Sequence, residues 1–122
     1  MSNSKKYVLS HDVEWRYIMR VFRNRIFKFN NDAVYYLKCI EEDKIHNYPD
    51  FIEFDTYHAF SYCSRLYECF SIFNDLRSFL GYKKVTSEDL KISEGINFYL
   101  DNIGRFDSIP DFPKKRKYCY PD

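Results

Sequence analysis

Hydrophobic positions return every three to four residues through most of this chain, the spacing that draws a stripe along a helix. Between about His11 and Phe29 the stripe is Trp15, Ile18, Met19, Phe22, Ile26 and Phe29. Its back is not cleanly polar, because Val13, Tyr17, Val21 and Phe27 interleave with Arg16, Arg20 and Arg23. A helix apolar on several sides is central in a core or keeps a second face for a partner. Asn30 and Asn31 then break the pattern as capping residues. They predict a second helix over about Asp32 to Asp43 that buries Ala33, Tyr36, Leu37 and Ile40. Pro49 and Asp50 signal a turn, and Phe51 to Phe54 reads as a short extended piece.

The clearest stripe belongs to a third helix over about Thr56 to Leu80. Ala59, Cys63, Leu66, Phe70 and Phe73 face inward, while Ser61, Ser64, Glu68, Ser71, Asp75 and Ser78 make the wet side. Asp55 or Thr56 would cap it, and Gly81 stands where a left-handed C′ residue belongs. Thr86 to Asp89 is a capping box with Asp in place of Glu. It would open a fourth helix to about Ile103, closed by Gly104, with Ile92, Ile96, Tyr99, Leu100 and Ile103 on one face. Pro110, Pro113 and Pro121 make an extended tail of the end of the chain.

The expected fold is therefore mainly α: an irregular antiparallel bundle of about four helices in a single domain over residues 1–122, with 105–122 as an extended basic tail. The alternative is α+β, with Lys5–Leu9, Tyr35–Ile40 and Phe51–Phe54 as strands, since these pieces are rich in β-formers. Composition favours helices. Only three glycines occur in 122 residues, too few for the tight turns of a sandwich or a doubly wound sheet. The apolar share is concentrated in rings, with 12 Tyr, 12 Phe and one Trp, which bury large areas and keep a polar handle on Tyr.

No run of about 18 uncharged apolar residues exists, so no membrane span is expected. The N-terminus lacks the apolar core and cleavage site of a signal peptide. Four cysteines, Cys39, Cys63, Cys69 and Cys119, are too sparse for a disulfide scaffold and read as reduced, buried side chains in the cytoplasm.

The net charge of +1 hides blocks of opposite sign. Residues 11–30 hold Arg16, Arg20, Arg23, Arg25 and Lys28 against Asp12 and Glu14. Residues 31–60 reverse this, with Asp32, Glu41, Glu42, Asp43, Asp50, Glu53 and Asp55 against Lys38 and Lys44. Lys114 to Lys117 form a basic run. Such blocks either face each other within the fold or steer a partner; surface ion pairs contribute little to stability by themselves.

No nucleophile elbow, P-loop or H-E-x-x-H helix is present. His58 and Cys63 sit about 140° apart on a helix, a poor dyad. No C-x-x-C pair exists, so no zinc site is expected. Asp50, Glu53, Asp55 and His58 are the densest acidic group, yet a helix start explains them without a metal. No catalytic residue, cofactor or metal is assigned. Two residues break their local pattern: Arg77 enters the apolar stripe of the third helix, where it either pairs with an acid such as Asp101 or marks the end of the core where a partner docks. Phe98 stands among Lys91, Glu94 and Asp101 like an interface anchor with a polar rim, unless tail residues Phe106, Ile109 and Phe112 cover it.

These features point to a small non-catalytic protein-binding inhibitor, such as an immunity protein or antitoxin, or a phage anti-defence inhibitor. Its partner would be another protein, a toxin or a host or viral effector, met through Arg16, Arg20, Arg23, Glu41, Glu42, Asp43, Asp50, Glu53, Asp55 and Phe98. The expected mechanism is steric cover of an active site. The alternative is a small nucleic-acid-binding regulator using the first helix and basic tail. The oligomeric state is left open.

Overall fold

The computed structural model describes the backbone of residues 2–106 and the side chains of residues 14–106. Within that range the chain is helical and contains no strand. Helix α1 runs over Ser2–His46, α2 over Pro49–Phe79 and α3 over Ser93–Asn102. The first two form a long antiparallel hairpin. Trp15 meets Phe79 at one end, with ring centroids 6.0 Å apart, and Tyr36 stacks on His58 and Tyr62 toward the other.

A seven-residue repeat runs through the hairpin. In α1 the buried residues are Ile26, Ala33 and Ile40, and in α2 Ala59, Leu66 and Phe73 keep the same spacing, with Asp55, Thr56 and Cys63 also buried. Met19, Phe22 and Phe29 pack beside them. Buried side chains at heptad spacing keep one seam of each helix facing the other, as in a coiled coil.

This repeat corrects the expected bundle. Residues 11–43 are one helix, not two, because Ile26 and Ala33 hold the seam on either side of Asn30 and Asn31. Packing outweighs the weak helix preference of Asn. Tyr35–Ile40 and Phe51–Phe54, and Lys5–Leu9 as well, are helical rather than strands. Helix α2 starts at Pro49, whose fixed φ suits the first helical position and whose missing N–H costs nothing there. Asp55 and Thr56 consequently lie inside the helix and not at its cap. The Thr56 hydroxyl donates back to the Ile52 carbonyl at 2.6 Å.

Both long helices end in the same backbone device. Asn47 and Gly81 adopt positive φ of 58° and 86°. The N–H of Tyr48 reaches the Asp43 carbonyl at 2.9 Å, and that of Tyr82 reaches Arg77 at 2.7 Å. These are Schellman closures, one on the expected glycine and one on an asparagine.

The fourth expected helix is split. Thr86 and Asp89 do form the capping box, each backbone N–H bonded to the other's side chain at 3.0 Å. It encloses one turn only, because Lys91 takes a left-handed φ of 59° and Ile92 N–H closes on the Ser87 carbonyl at 2.9 Å. The connection from α2 is pinned by Asn74, whose carboxamide exchanges two 2.9 Å hydrogen bonds with the backbone of Val85.

Helix α3 then lies on the hairpin through Ile92 and Ile96, which join Ile26, Leu66 and Phe73 in the core. It approaches closely at Gly95, where a Cβ would stand 2.8 Å from Leu66 Cδ2 and 3.6 Å from Cys63 Sγ. After α3, Gly104 at φ 88° turns the chain so that buried Phe106 packs on Tyr57 and Phe60. The expectations for residues 107–122, the basic run included, lie outside the described residues.

Candidate functional site

Among the described residues, two grooves along α1 carry opposite charge. The first lies between the C-terminal half of α1 and α3, with a volume of about 760 Å³. Its floor is Leu37, Ile40 and Phe98, and its walls carry Glu41, Glu42, Glu94 and Asp101 against Lys38 and Lys44. Lys44 is already drawn to Glu41 at 3.5 Å, an exposed pair. Phe98 is half-buried, so its ring is a ledge between the helices rather than an isolated exposed side chain.

The second groove, about 260 Å³, gathers Arg16, Arg20 and Arg23 from α1 with Arg77 from α2, over Met19, Phe73 and Tyr82. Among the described residues no carboxylate lines it. Arg77 does not pair with Asp101, which belongs to the other groove. Its Nε donates to the Lys83 carbonyl at 2.7 Å, and its guanidinium rests over the rings of Phe73 and Tyr82 at 5.9 and 5.5 Å. The Schellman closure at Gly81 brings Lys83 and Tyr82 back to that position. Arg77 is thus held by a carbonyl and two π faces, the modes a planar, weakly hydrated cation favours.

The grooves share one α1 address. Positions 16, 19, 20 and 23 become 37, 40, 41 and 44 by a common step of 21 residues, three heptads. That step is about 31 Å along a helix axis, well beyond the roughly 10 Å screening length at 0.1 M salt. The charges of one groove therefore do not reach those of the other within one molecule.

Spacing along the chain puts Arg16, Arg20 and Arg23 on one face and Phe98 among Glu94 and Asp101, and the structure brings each set together. It adds Glu41 and Glu42 to the second set, and Arg77 and Tyr82 to the first, which only the reversal at Gly81 brings to the arginines. Four expected acids lie elsewhere. Asp43 is half-buried on the α2-facing seam, and Asp50 and Glu53 are exposed in the first turns of α2. Asp55 is only 1% exposed, so it is part of the core and not a surface charge for a partner. The position of Asp55 is the seam of α2, four residues before Ala59, which its charge concealed.

Most of the aromatic surplus is spent internally. Tyr35, Tyr36, His58, Tyr57, Phe106, Phe60, Tyr99 and Tyr67 form an unbroken chain of ring contacts with centroids 4.9 to 5.9 Å apart. Such pairs add stability beyond the area they bury. Cys63 lies fully inside the junction with α3, and burial pushes its thiol up to about 12. Burial also raises Cys39 and Cys69. A thiol held protonated is a poor nucleophile. Among the described residues no group of three or more His, Cys, Asp or Glu is placed to hold a metal ion. No helix among them is long and apolar enough to cross a membrane.

Comparison with protein-family models, curated proteins and solved structures finds no match for this chain.

Proposed function

We propose that this chain is a non-catalytic binding protein that inhibits another protein by covering it, in the manner of an immunity protein, an antitoxin or a phage anti-defence inhibitor. The observation that carries the reading is the acidic groove, in which Glu41, Glu42, Glu94 and Asp101 surround the half-buried Phe98. An apolar ledge with a charged rim is the anatomy of a protein interface. Its sign selects a basic surface on the target, such as the positive site of an enzyme acting on nucleic acid. A groove built from two packed helices is already shaped, so little ordering opposes binding.

Affinity capture from the native host tests the reading. The wild-type chain and an Arg20→Glu variant should retain the same partner, and Glu41→Lys/Glu42→Lys should lose it. Retention of the partner by the doubly reversed variant would reject the acidic groove as the site.

A second reading is favoured by the four arginines of the other groove. Guanidinium groups beside Tyr82 suit a phosphate backbone with a base stacked on the ring. Binding to single-stranded nucleic acid that falls steeply with salt would support it. No binding at low salt removes it.

A further inference from the structure

The outer stripe of α1 is self-complementary end to end. One set of heptad positions reads Arg20, Phe27, Val34 and Glu41, and the adjacent set reads Tyr17, Asn24, Asn31, Lys38 and Ile45. Turned end over end about its middle, the stripe places Arg20 on Glu41, Phe27 on Val34 and Tyr17 on Ile45, with Asn31 meeting itself. Arg20 meets its opposite in Glu41, Lys38 meets the Asn24 carboxamide, and each apolar residue meets another. The outermost of these residues are open: Tyr17 is 67% and Ile45 79% exposed. Arg20, Glu41, Asn24, Asn31 and Lys38 are exposed as well, and Phe27 and Val34 are half-buried.

We infer that two copies of this chain pair through α1 in antiparallel fashion, about a twofold axis at Asn31. A twofold interface uses the same patch on both subunits, so each complementary contact occurs twice. The arginine groove of one copy then adjoins the acidic groove of the other. This brings together, at both ends, groove charges that one molecule holds three heptads apart. Like charges at the ends of a parallel pairing would repel, and this sets the direction.

The pairing shares Glu41 with the acidic groove, so a target and a second copy would compete for it; it is tested on purified protein with no partner present, where its failure leaves the inhibitor reading standing. Sedimentation of the full chain at about 50 mM salt should show a dimer that dissociates as screening increases toward about 0.5 M. Arg20→Glu and Glu41→Lys should each weaken dimerisation by about tenfold or more, the effect of roughly 1.4 kcal/mol. An equimolar mixture of the two variants should dimerise again, since a reversed end in one copy meets the reversed end of the other. Ile45→Lys should also dissociate the dimer while leaving the circular dichroism spectrum unchanged. A wild-type monomer at low salt and high protein concentration would overturn the inference. So would a dimer indifferent to both charge reversals, or a variant mixture that stays monomeric.

Discussion

The two grooves of α1 begin from the same helical positions and arrive at opposite chemistry. Both take their lining from equivalent residues three heptads apart, so the seven-residue repeat dictates where a groove can open but not its sign. The difference comes from what α1 is packed against. At the basic end α2 supplies Arg77, held in place by the Lys83 carbonyl and the Phe73 and Tyr82 rings. At the acidic end α3 supplies Glu94, Phe98 and Asp101. One wall is a core helix and the other a short helix laid on the hairpin, so the two grooves respond differently to perturbation.

Leu66→Asp should erase both. It puts an unpaired charge at a position with no exposed surface, at a cost of about 4 kcal/mol or more. Loss of far-ultraviolet helicity at room temperature is the expected result, and a stable variant would refute the register of α2.

High pH acts next, and through the acidic end. Folding keeps the Cys63 thiol protonated up to about 12, whereas in the unfolded chain a thiol ionises near 8.5. The raised folded value means that this contribution is complete below the unfolded value and is lost as pH climbs from about 8.5 toward 12. Denaturant midpoints should fall over that window, and Cys63→Ala should flatten the fall. Site-resolved alkylation should label Cys63 only after unfolding.

Gly95→Ala should separate the grooves more cleanly. The new methyl meets Leu66 Cδ2 at 2.8 Å, so the Leu66 side chain or α3 itself must shift, at a cost of about 1–3 kcal/mol. Partner binding at the acidic groove should drop while any nucleic-acid binding at the arginine groove is kept. Equal loss at both would show that α3 supports the whole molecule.

Phe98→Ala should be milder for the fold, about 1 kcal/mol for a half-buried ring, and larger for partner capture. Smallest in stability are the charge reversals. Arg20→Glu/Arg23→Glu and Glu41→Lys/Glu42→Lys should each shift unfolding by no more than about 0.5 kcal/mol, since all four residues are exposed. Their effects should appear in binding alone.

The core of α2 could be read directly from the sequence because Ala59, Cys63, Leu66 and Phe73 repeat inside a serine-rich background. The length of α1 could not. Asn30 and Asn31 carry a strong local signal for a cap, and only the opposing helix shows that the seam continues through them. The same holds for the site. Arg16, Arg20 and Arg23 share a face by spacing alone, whereas Arg77 reaches them through a hairpin whose register depends on contacts more than 50 residues apart in sequence. Asp55 was misjudged for a related reason. Its charge suggests water, but its heptad position places it inside.

The single tryptophan marks one end of the molecule. Trp15 lies against Phe79 beside the arginines, whereas the chain of rings from Tyr35 around α2 to Tyr67 contains no indole. Indole emission will therefore register events at the basic end, and a ligand there can be followed in unlabelled protein, with no dye or tag to disturb the surface under study.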